Sequence, residues 1–344
     1  MSNLIPNKMH AFAALAAKDT NTTKNLVEIS VETPKPLHRD VLVKIEAISI
    51  NPVDTKVRKR HAAQNEDTQP KVLGWDAAGT VVAVGDEVLN FKVGDQVWYA
   101  GALDRPGCNS EYHLVDERLI SHKPDCLSFA EAAALPLTAL TAWEMLIDRL
   151  QIHADDNKAL LIIGATGGVG SIMVQLAKHF TQKIVVGTAS RPESEQWLRE
   201  LGVHHVINHK ERLAPQIEAL HLPMFNHIVS LNQTDEHLED IAKLIAPQGK
   251  FGLIDDPKLF DIKIFKQKSV SIHWEFMYTR SLFHTEDMSQ QHYILKEISQ
   301  MVAQKEIKTT LNHHLGKINL ENLKAAHELI ESQSAIGKVV LEGF

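Results

Sequence analysis

A glycine-rich turn set between an apolar strand and an amphipathic helix constrains this chain more than any other feature. Ala159 to Ile163 is typical of a buried strand, and Gly168 to Phe180 is typical of a helix. The glycines between them permit a tight turn and the close approach of a pyrophosphate, and the start of a helix offers unpaired N–H groups to an anion. A turn without a ligand is the alternative, but this placement between strand and helix predicts a dinucleotide-binding site.

The end of the next predicted strand indicates which dinucleotide binds. Gly187 to Arg191 lies about 20 residues after the glycine turn, where a site for NAD usually carries Asp or Glu for the ribose 2′-hydroxyl. A carboxylate repels a 2′-phosphate, whereas a hydroxyl such as that of Ser190 and a guanidinium such as that of Arg191 can bind it. We therefore expect NADPH rather than NADH. His209, just after the third strand, is a further candidate for this phosphate. The alternative is that Arg191 and His209 are solvated surface residues.

Composition limits the classes of partner. The 344 residues suffice for two domains, and their 44% hydrophobic and 23% charged content is that of an ordinary soluble protein. A net charge of −7 disfavours nucleic acid and anionic membranes, so the basic stretch Lys56 to His61 is interpreted as a solvated loop. No apolar run reaches the ~18 residues of a membrane span. Residues Met1 to His10 lack the apolar core of a secretory signal, and the two cysteines fit a reducing compartment, so we expect a cytoplasmic protein.

The predicted secondary structure changes after about the first third of the chain. Up to about Leu127 it is typical of strands and turns, including Val41 to Ile45 and Gly79 to Gly85, which predicts a barrel-like or sandwich-like domain. From Ser128 onwards, apolar strands alternate with helices, which predicts a parallel sheet covered on both faces. The alternation stops at about Glu275. The helices predicted after the glycine turn are Pro192 to Leu201, Asp235 to Ile245, Met288 to Ala303 and Leu320 to Ser332.

Metal-ligand patterns are missing, although the sequence contains 19 histidines. A structural zinc needs four Cys or His ligands at short spacings, and a catalytic zinc needs three protein ligands. The pairs His204-His205 and His313-His314 consist of adjacent residues, which point to opposite sides of a strand. We therefore expect no metal. The sequence also lacks a Gly-x-Ser-x-Gly nucleophile motif.

Several further motifs follow one another in a specific order over nearly the whole length. They are Ser49 to Thr55 (SINPVDT), Leu73 to Val81 (LGWDAAGTV), Val93 to Val97 (VGDQV), Ala133 to Ala142 (AALPLTALTA), the glycine turn, Leu201 to Asn208 (LGVHHVIN) and Gly337 to Leu341 (GKVVL). In this order they resemble the medium-chain dehydrogenase/reductase superfamily, specifically its zinc-free quinone oxidoreductase branch. The tract His273 to Arg280 is similar to members labelled zinc-type alcohol dehydrogenase-like.

The resemblance implies an α/β fold in two domains. A GroES-like β-barrel catalytic domain would comprise residues 1–130 and 280–344. A Rossmann domain with a doubly wound parallel sheet would comprise residues 131–279 and bind NADP. Members of the superfamily hold cofactor and substrate in the cleft between these domains, and they are usually homodimers or homotetramers.

The resemblance also bears on zinc. In zinc-dependent relatives a cysteine lies near the position of Asn51, and Gly-His-Glu occurs where this chain has Gly74-Trp75-Asp76. Neither the cysteine nor the histidine is present. The four-cysteine structural loop, expected near residues 99–115, is reduced to Cys108. A zinc-free protein is therefore expected.

Site residues are carried over from the family position by position. Asn51 would lie beside the nicotinamide, and Thr141 would contact its carboxamide side. Lys56 stands where many quinone oxidoreductases have tyrosine; it binds a cofactor phosphate, stabilises an enolate or faces solvent. Asp54 is either functional or caps a helix turn. The cofactor-binding set is completed by Gly164, Thr166, Gly167, Gly168, Val169 and Gly170 at the pyrophosphate, by Ser190, Arg191 and His209 at the 2′-phosphate, and by Leu231 and Ile254 at the ligand-facing ends of two strands.

These features favour one reaction and leave two alternatives. A quinone or an α,β-unsaturated carbonyl takes a hydride directly at an electron-poor carbon, whereas alcohol oxidation without a metal is disfavoured. We therefore expect an NADPH-dependent reductase of small-molecule quinones or enones. One alternative is a zinc-type alcohol dehydrogenase, which metal analysis distinguishes. The other is a non-catalytic NADPH-binding protein, which would bind the cofactor without consuming it.

Overall fold

The computed structural model describes residues 5–16, 22–64, 68–154, 159–181 and 184–344. The chain divides into two compact units. The first unit consists of Met1–Leu137 and Tyr278–Phe344, and the second unit consists of Thr138–Met277. The first unit is therefore discontinuous in sequence.

Strands and helices are numbered along the chain. The strands are β1 Lys8–Ala14, β2 Leu26–Glu32, β3 Asp40–Ile50, β4 Lys71–Val72, β5 Ala77–Val84, β6 Gln96–Tyr99, β7 Tyr112–Asp116, β8 Ile120–His122, β9 Leu160–Ile163, β10 Val185–Thr188, β11 His205–Ile207, β12 Phe225–Ser230, β13 Ile245–Leu253, β14 Ser271–Trp274, β15 Leu311–His314 and β16 Lys338–Glu342. The helices are α1 Pro52–Ala62, α2 Phe129–Ala133, α3 Pro136–Trp143, α4 Gly168–Phe180, α5 Pro192–Leu201, α6 Leu213–Ala219, α7 Thr234–Leu244, α8 Thr279–Leu282, α9 Gln290–Ala303 and α10 Leu320–Glu331. A π-helical turn, Glu144–Arg149, continues α3.

The second unit is built on a parallel sheet of six strands in the order β11-β10-β9-β12-β13-β14. All four residues of β9 are buried, as expected for a strand covered on both faces. The order runs outward in both directions from β9, which is the doubly wound arrangement. The predicted Rossmann architecture is confirmed.

Helix ends in the second unit follow local sequence rules. Helix α5 has Pro192 at its first position and ends at Gly202, whose φ of 91° is left-handed. Proline is pre-organised for the first helical turn, and glycine adopts a left-handed φ without steric cost. Helices α4 and α5 have the bounds that the sequence predicts.

The first unit is the β-rich one. Its larger sheet has the order β15-β16-β3-β5-β6-β8, with β7 also paired to β3. The pairs are antiparallel except β15 with β16. The eleven-residue strand β3 lies at its centre, and a separate three-stranded sheet has the order β2-β1-β4. The core between these layers includes Val41, Val43 and Ile45 from β3. This confirms the predicted GroES-like, barrel-type class.

The prediction of a solvated loop at Lys56 to His61 is wrong. These residues form most of helix α1, and Arg58 is fully buried. The guanidinium of Arg58 donates to Glu331 of α10 at 2.6 Å and also contacts the carbonyl oxygen of Thr22. A charged side chain is tolerated in the interior when it is paired in this way. The remaining charges of the stretch lie mainly on the solvent face of the helix.

In the part of the chain that the structure describes, no helix combines the length and apolar character that crossing a bilayer demands.

Candidate functional site

The glycine turn leaves the start of α4 open to an anion. Gly164 has a φ of +78°, a conformation that favours glycine, and its N–H donates to Thr188 Oγ1 at 3.0 Å. Helix α4 begins after Gly167, and among the described residues no side chain caps it. The N–H groups of its first turn lack acceptors within the helix, and the helix dipole places partial positive charge there.

The space around the turn differs from one glycine to the next. A Cβ on Gly170 would lie 2.4 Å from Ala165 Cα, so this glycine is required for packing of the helix on the turn. A Cβ on Gly167 would meet nothing nearer than Gly164 O at 3.7 Å. The side of Gly167 is therefore open, which leaves room for a bound group. These residues fit a dinucleotide.

The ends of β10 and β11 bring Arg191 and His209 to the same edge of the sheet as the turn. Ala189 N–H donates to Ile207 O at 2.9 Å, which places the residues after the two strands side by side. Arg191 is partly exposed, and its Nε lies 3.4 Å from Glu193 Oε1. Burial, followed by the nearby His237, Lys210 and Arg191, lowers the pKa of His209. His209 Nδ1 is buried and has no hydrogen-bond partner among the described residues. A cluster of this kind fits a phosphate.

The loops after β12 and β13 lie at the same carboxyl edge of the sheet. Leu231 N–H donates to Ile163 O at 3.1 Å, and a Cβ on Gly164 would come within 2.5 Å of Asn232 Oδ1. The strand order reverses between β9 and β12, which is where doubly wound sheets bind ligands. Leu231 and Ile254 are both half-buried at this edge.

Asp255 holds these two loops together. Its carboxylate accepts from Thr234 N at 2.9 Å and from Thr234 Oγ1 at 2.6 Å. Because Thr234 begins α7, the carboxylate of Asp255 satisfies one of the N–H groups at the start of that helix. The edge near Leu231 and Ile254 is thus fixed by hydrogen bonds.

A buried polar network surrounds Asn51 in the first unit. Lys338 Nζ contacts Asn51 Oδ1 and lies 2.9 Å from Asp76 Oδ2. Asn51 Nδ2 donates to Asp76 Oδ2 at 3.1 Å and to Ser49 O at 3.3 Å. Each of these side chains is at most 3% exposed. Neither Lys338 nor Asp76 is among the site residues that the sequence predicts. The available signal was a lysine directly before the apolar run Val339 to Leu341.

Two more ionisable groups lie in the same interior. Asp54 Oδ2 accepts the N–H of Asn51 at 2.7 Å, and burial raises the pKa of Asp54 to about 7 against the opposing effect of that hydrogen bond. Cys108 Sγ lies 3.7 Å from Asp76 O, and burial raises the pKa of its thiol. Asp54 thus caps α1, which is the structural one of the two roles that the sequence allows for this residue.

The other two sequence-predicted residues lie on different helices. Lys56 is exposed on α1, one turn beyond Asn51. Thr141 is buried in α3, within the second unit. The structure therefore gathers Gly164 to Gly170, Ser190, Arg191, His209, Leu231 and Ile254 at one sheet edge. It places Asn51 in the interior at the start of α1 and Lys56 on the exposed face further along that helix.

The residues at the zinc-related positions do not fit a catalytic zinc. Trp75 Nε1 donates to Ala102 O at 2.9 Å, and Asn51 binds the Lys338 ammonium. A catalytic zinc needs three protein ligands, and an ammonium beside them would repel it. Within the described ranges, no group of three or more His, Cys, Asp or Glu side chains is placed to hold a metal ion.

Comparison with known proteins assigns the family. The model for the alcohol dehydrogenase GroES-like domain matches residues 38–125, and that for zinc-binding dehydrogenase matches residues 201–341. A zinc-type alcohol dehydrogenase-like protein of Staphylococcus epidermidis is 37% identical over 319 residues, covering 91% of this chain and 94% of the relative. A Rhizobium etli CFN 42 crystal structure, described as a zinc-dependent alcohol dehydrogenase protein, is 49% identical, has a TM-score of 0.93 and covers 98% of each chain.

A plant reductase is also similar. The chloroplastic NADPH-dependent alkenal/one oxidoreductase of Arabidopsis thaliana is 32% identical over 252 residues, covering 71% of this chain and 64% of the relative. A barrel-type unit joined to a doubly wound nicotinamide-cofactor unit defines an oxidoreductase of the medium-chain class. The chain belongs to the medium-chain dehydrogenase/reductase superfamily, among its zinc-type alcohol dehydrogenase-like members.

Proposed function

We propose that this protein is an NADPH-dependent reductase that transfers a hydride to a quinone or an α,β-unsaturated carbonyl without zinc. The observation that carries the proposal is the end of β10, where Ser190 and Arg191 replace the carboxylate of an NAD site, beside a helix start that no described side chain caps. His209 adds a buried ring nitrogen for which the described part of the chain provides no hydrogen-bond partner. Together these groups suit three phosphates: two in the pyrophosphate and one on the ribose.

The residues of the second unit bind and orient the cofactor in this proposal. The N–H groups of Gly168, Val169 and Gly170, with the turn residues Gly164, Thr166 and Gly167, cradle the pyrophosphate. Arg191, Ser190 and His209 hold the 2′-phosphate, while Leu231 and Ile254 line the nicotinamide half and Thr141 contacts its carboxamide. When bound, the reduced nicotinamide supplies the hydride.

The residues at the zinc-related positions support this choice of acceptor, because Asn51 and Trp75 are not usual zinc ligands and the Asp76 carboxylate already accepts from Lys338, Asn51 and Leu137. Alcohol chemistry in this fold class relies on a metal to polarise the oxygen. An enone or quinone accepts a hydride at carbon, and its developing oxyanion needs only hydrogen-bond donors. Exposed Lys56 is the candidate donor on α1, and Asn51 the candidate beside the nicotinamide. The name of the Arabidopsis relative, an NADPH-dependent alkenal/one oxidoreductase, supports the same class.

Alcohol dehydrogenase activity with zinc is the second candidate, favoured by the description of the Rhizobium protein. Metal analysis of purified protein distinguishes the two. We expect well under 0.1 zinc per chain and no loss of activity in chelator, whereas stoichiometric zinc would overturn the zinc-free part of the proposal.

The deciding experiment measures oxidation of NADPH and NADH against 1,4-quinones, enones and aldehydes, alongside calorimetry of NADP binding. We expect turnover of a quinone or enone, with NADPH preferred. Binding without any turnover would favour a non-catalytic NADPH-binding protein. No detectable binding of either form of NADP would refute the proposal.

Organisation and location are part of the proposal. We propose a catalytic domain of about residues 1–130 and 280–344, with an NADP-binding domain of about residues 131–279. We also propose a homodimer or homotetramer, supported by the edge strand β14 and by Trp274, whose side chain is 55% exposed there. Light scattering after gel filtration tests this. A cytoplasmic location is consistent with the unpaired Cys108 and Cys126, and cell fractionation tests it.

A further inference from the structure

We infer that Lys338 is a positioning residue of the proposed reductase site, holding the Asn51 amide in one orientation and fixing the Asp76 carboxylate at the start of α3. The inference rests on the proposed function, because Asn51 and Thr141 of α3 are the residues placed at the nicotinamide.

The orientation of Asn51 follows from what each neighbour can do. The Lys338 ammonium only donates hydrogen bonds, so the atom that contacts it must be the amide oxygen. Asp76 Oδ2 and Ser49 O only accept, so the atom facing them must be the amide nitrogen, at 3.1 and 3.3 Å. A flipped amide would set two donors against each other and two acceptors against each other. The contact with Lys338 therefore allows only one orientation of the Asn51 side-chain amide.

Asp76 transmits the same constraint to a helix. Its Oδ2 lies 2.9 Å from Lys338 Nζ, and its Oδ1 accepts the N–H of Leu137 at 3.1 Å. Leu137 is the second residue of α3, the helix on which Thr141 lies four residues later. The carboxylate thereby satisfies one of the N–H groups that a helix start leaves unpaired. Burial raises the pKa of Asp76, and the charge and hydrogen bond of Lys338 oppose that rise.

The position of Lys338 bears on the zinc-free part of the proposed function. Asn51 stands near the position of the cysteine of zinc-dependent relatives, and Asp76 stands where their Gly-His-Glu ends. The ammonium touches both residues. Lys338 of β16 is therefore a buried cation that neutralises the charge of Asp76 and binds the amide oxygen of Asn51. A buried pair of this kind leaves an uncompensated charge when one partner is removed.

The test compares Lys338→Met, which keeps the length of the side chain without its charge, with the double variant Lys338→Met/Asp76→Asn. Lys296→Met, an exposed lysine on α9, is the matched control. We expect Lys338→Met to lower the thermal midpoint and the double variant to recover most of it. In both variants kcat for a 1,4-quinone should fall about ten- to hundred-fold, because Asn51 is no longer held. The dissociation constant for NADP should stay within about two-fold, because the glycine turn is unchanged.

A double variant with restored stability and full kcat would overturn the inference, since Lys338 would then act on stability alone. Wild-type protein that binds NADP but reduces no quinone or enone would instead count against the proposed function. Crystal structures of the double variant and the wild type decide the inference in that case. We expect a reoriented Asn51 amide or a shifted start of α3 in the variant, and unchanged positions of both would overturn the inference.

Discussion

The side chain of Asp54 accepts the backbone N–H of Asn51, the residue that precedes and caps helix α1, at 2.7 Å. This bond secures the start of α1 and places a second buried carboxyl close to Asp76. Burial raises the pKa of Asp54 to about 7 from an ordinary value of 3.8. The native protein therefore prefers the protonated carboxyl over much of the acidic range.

The first prediction concerns that proton. Because the native pKa of Asp54 is above the unfolded one, its contribution to stability is fully present below pH 3.8 and is lost as pH rises towards about 7. Asp54→Asn keeps an acceptor for Asn51 and cannot ionise. Its free energy of unfolding relative to wild type should therefore rise with pH across this window, by a few kcal/mol in total. Urea denaturation at several pH values measures the difference, and a constant difference would contradict the prediction.

The second prediction concerns a histidine buried beside Arg58. Burial, and secondarily the charge of Arg58, lowers the pKa of His327 to about 3. The unfolded chain takes up this proton below pH 6.5 while the native chain does not, so stability is lost as pH falls from 6.5 towards 3. His327→Leu should lose less stability over that range than wild type, by a few kcal/mol. The exposed His153→Leu serves as control and should track wild type.

The third prediction tests the 2′-phosphate group. Arg191→Ala should raise KM for NADPH by about ten-fold or more and leave KM for NADH unchanged, because a charge-assisted bond to phosphate contributes roughly 1.5–3 kcal/mol. Arg199→Ala, on the same helix, removes an exposed pair with Glu195 and should change neither value. Steady-state kinetics with both cofactors provides the measurement. Equal effects on NADPH and NADH would place Arg191 away from the phosphate.

The fourth prediction separates packing from binding in the glycine turn. Gly170→Ala pushes a methyl against Ala165 and should lower the thermal midpoint by several degrees. Gly167→Ala has room for its methyl and should melt like wild type, yet bind NADPH at least about ten-fold more weakly. Calorimetry and thermal melting together measure both effects. Unimpaired NADPH binding by Gly167→Ala would show that the pyrophosphate lies elsewhere.

The second unit was the more predictable part of the fold. Helices α4 and α5 are amphipathic and carry their own start and stop residues, such as Pro192 and Gly202, so local rules suffice. Its central strands β9 and β10 are apolar runs that are buried on both faces, as expected inside a parallel sheet. For the first unit, local patterns predict a β-rich domain but do not distinguish a barrel from a sandwich. The family resemblance predicts the barrel.

Helix α1 and the polar network were less predictable, for the same physical reason. Arg58 looks like a loop residue until its partner Glu331 is known, and that partner is 273 residues away. Lys338 and Asp76 are likewise separated by 262 residues. A charged residue becomes a core residue only when tertiary structure provides the opposite charge, and no local pattern contains that information.

The place of β16 has a consequence for biosynthesis. This strand pairs with β3 from Val339–Ile50 to Glu342–Ala47, yet it is translated after the whole second unit. While the ribosome makes residues 138–277, one edge of β3 lacks its neighbour and Asp76 lacks its cation. A nascent chain arrested before residue 338 should therefore carry a protease-resistant second unit attached to a protease-sensitive first one.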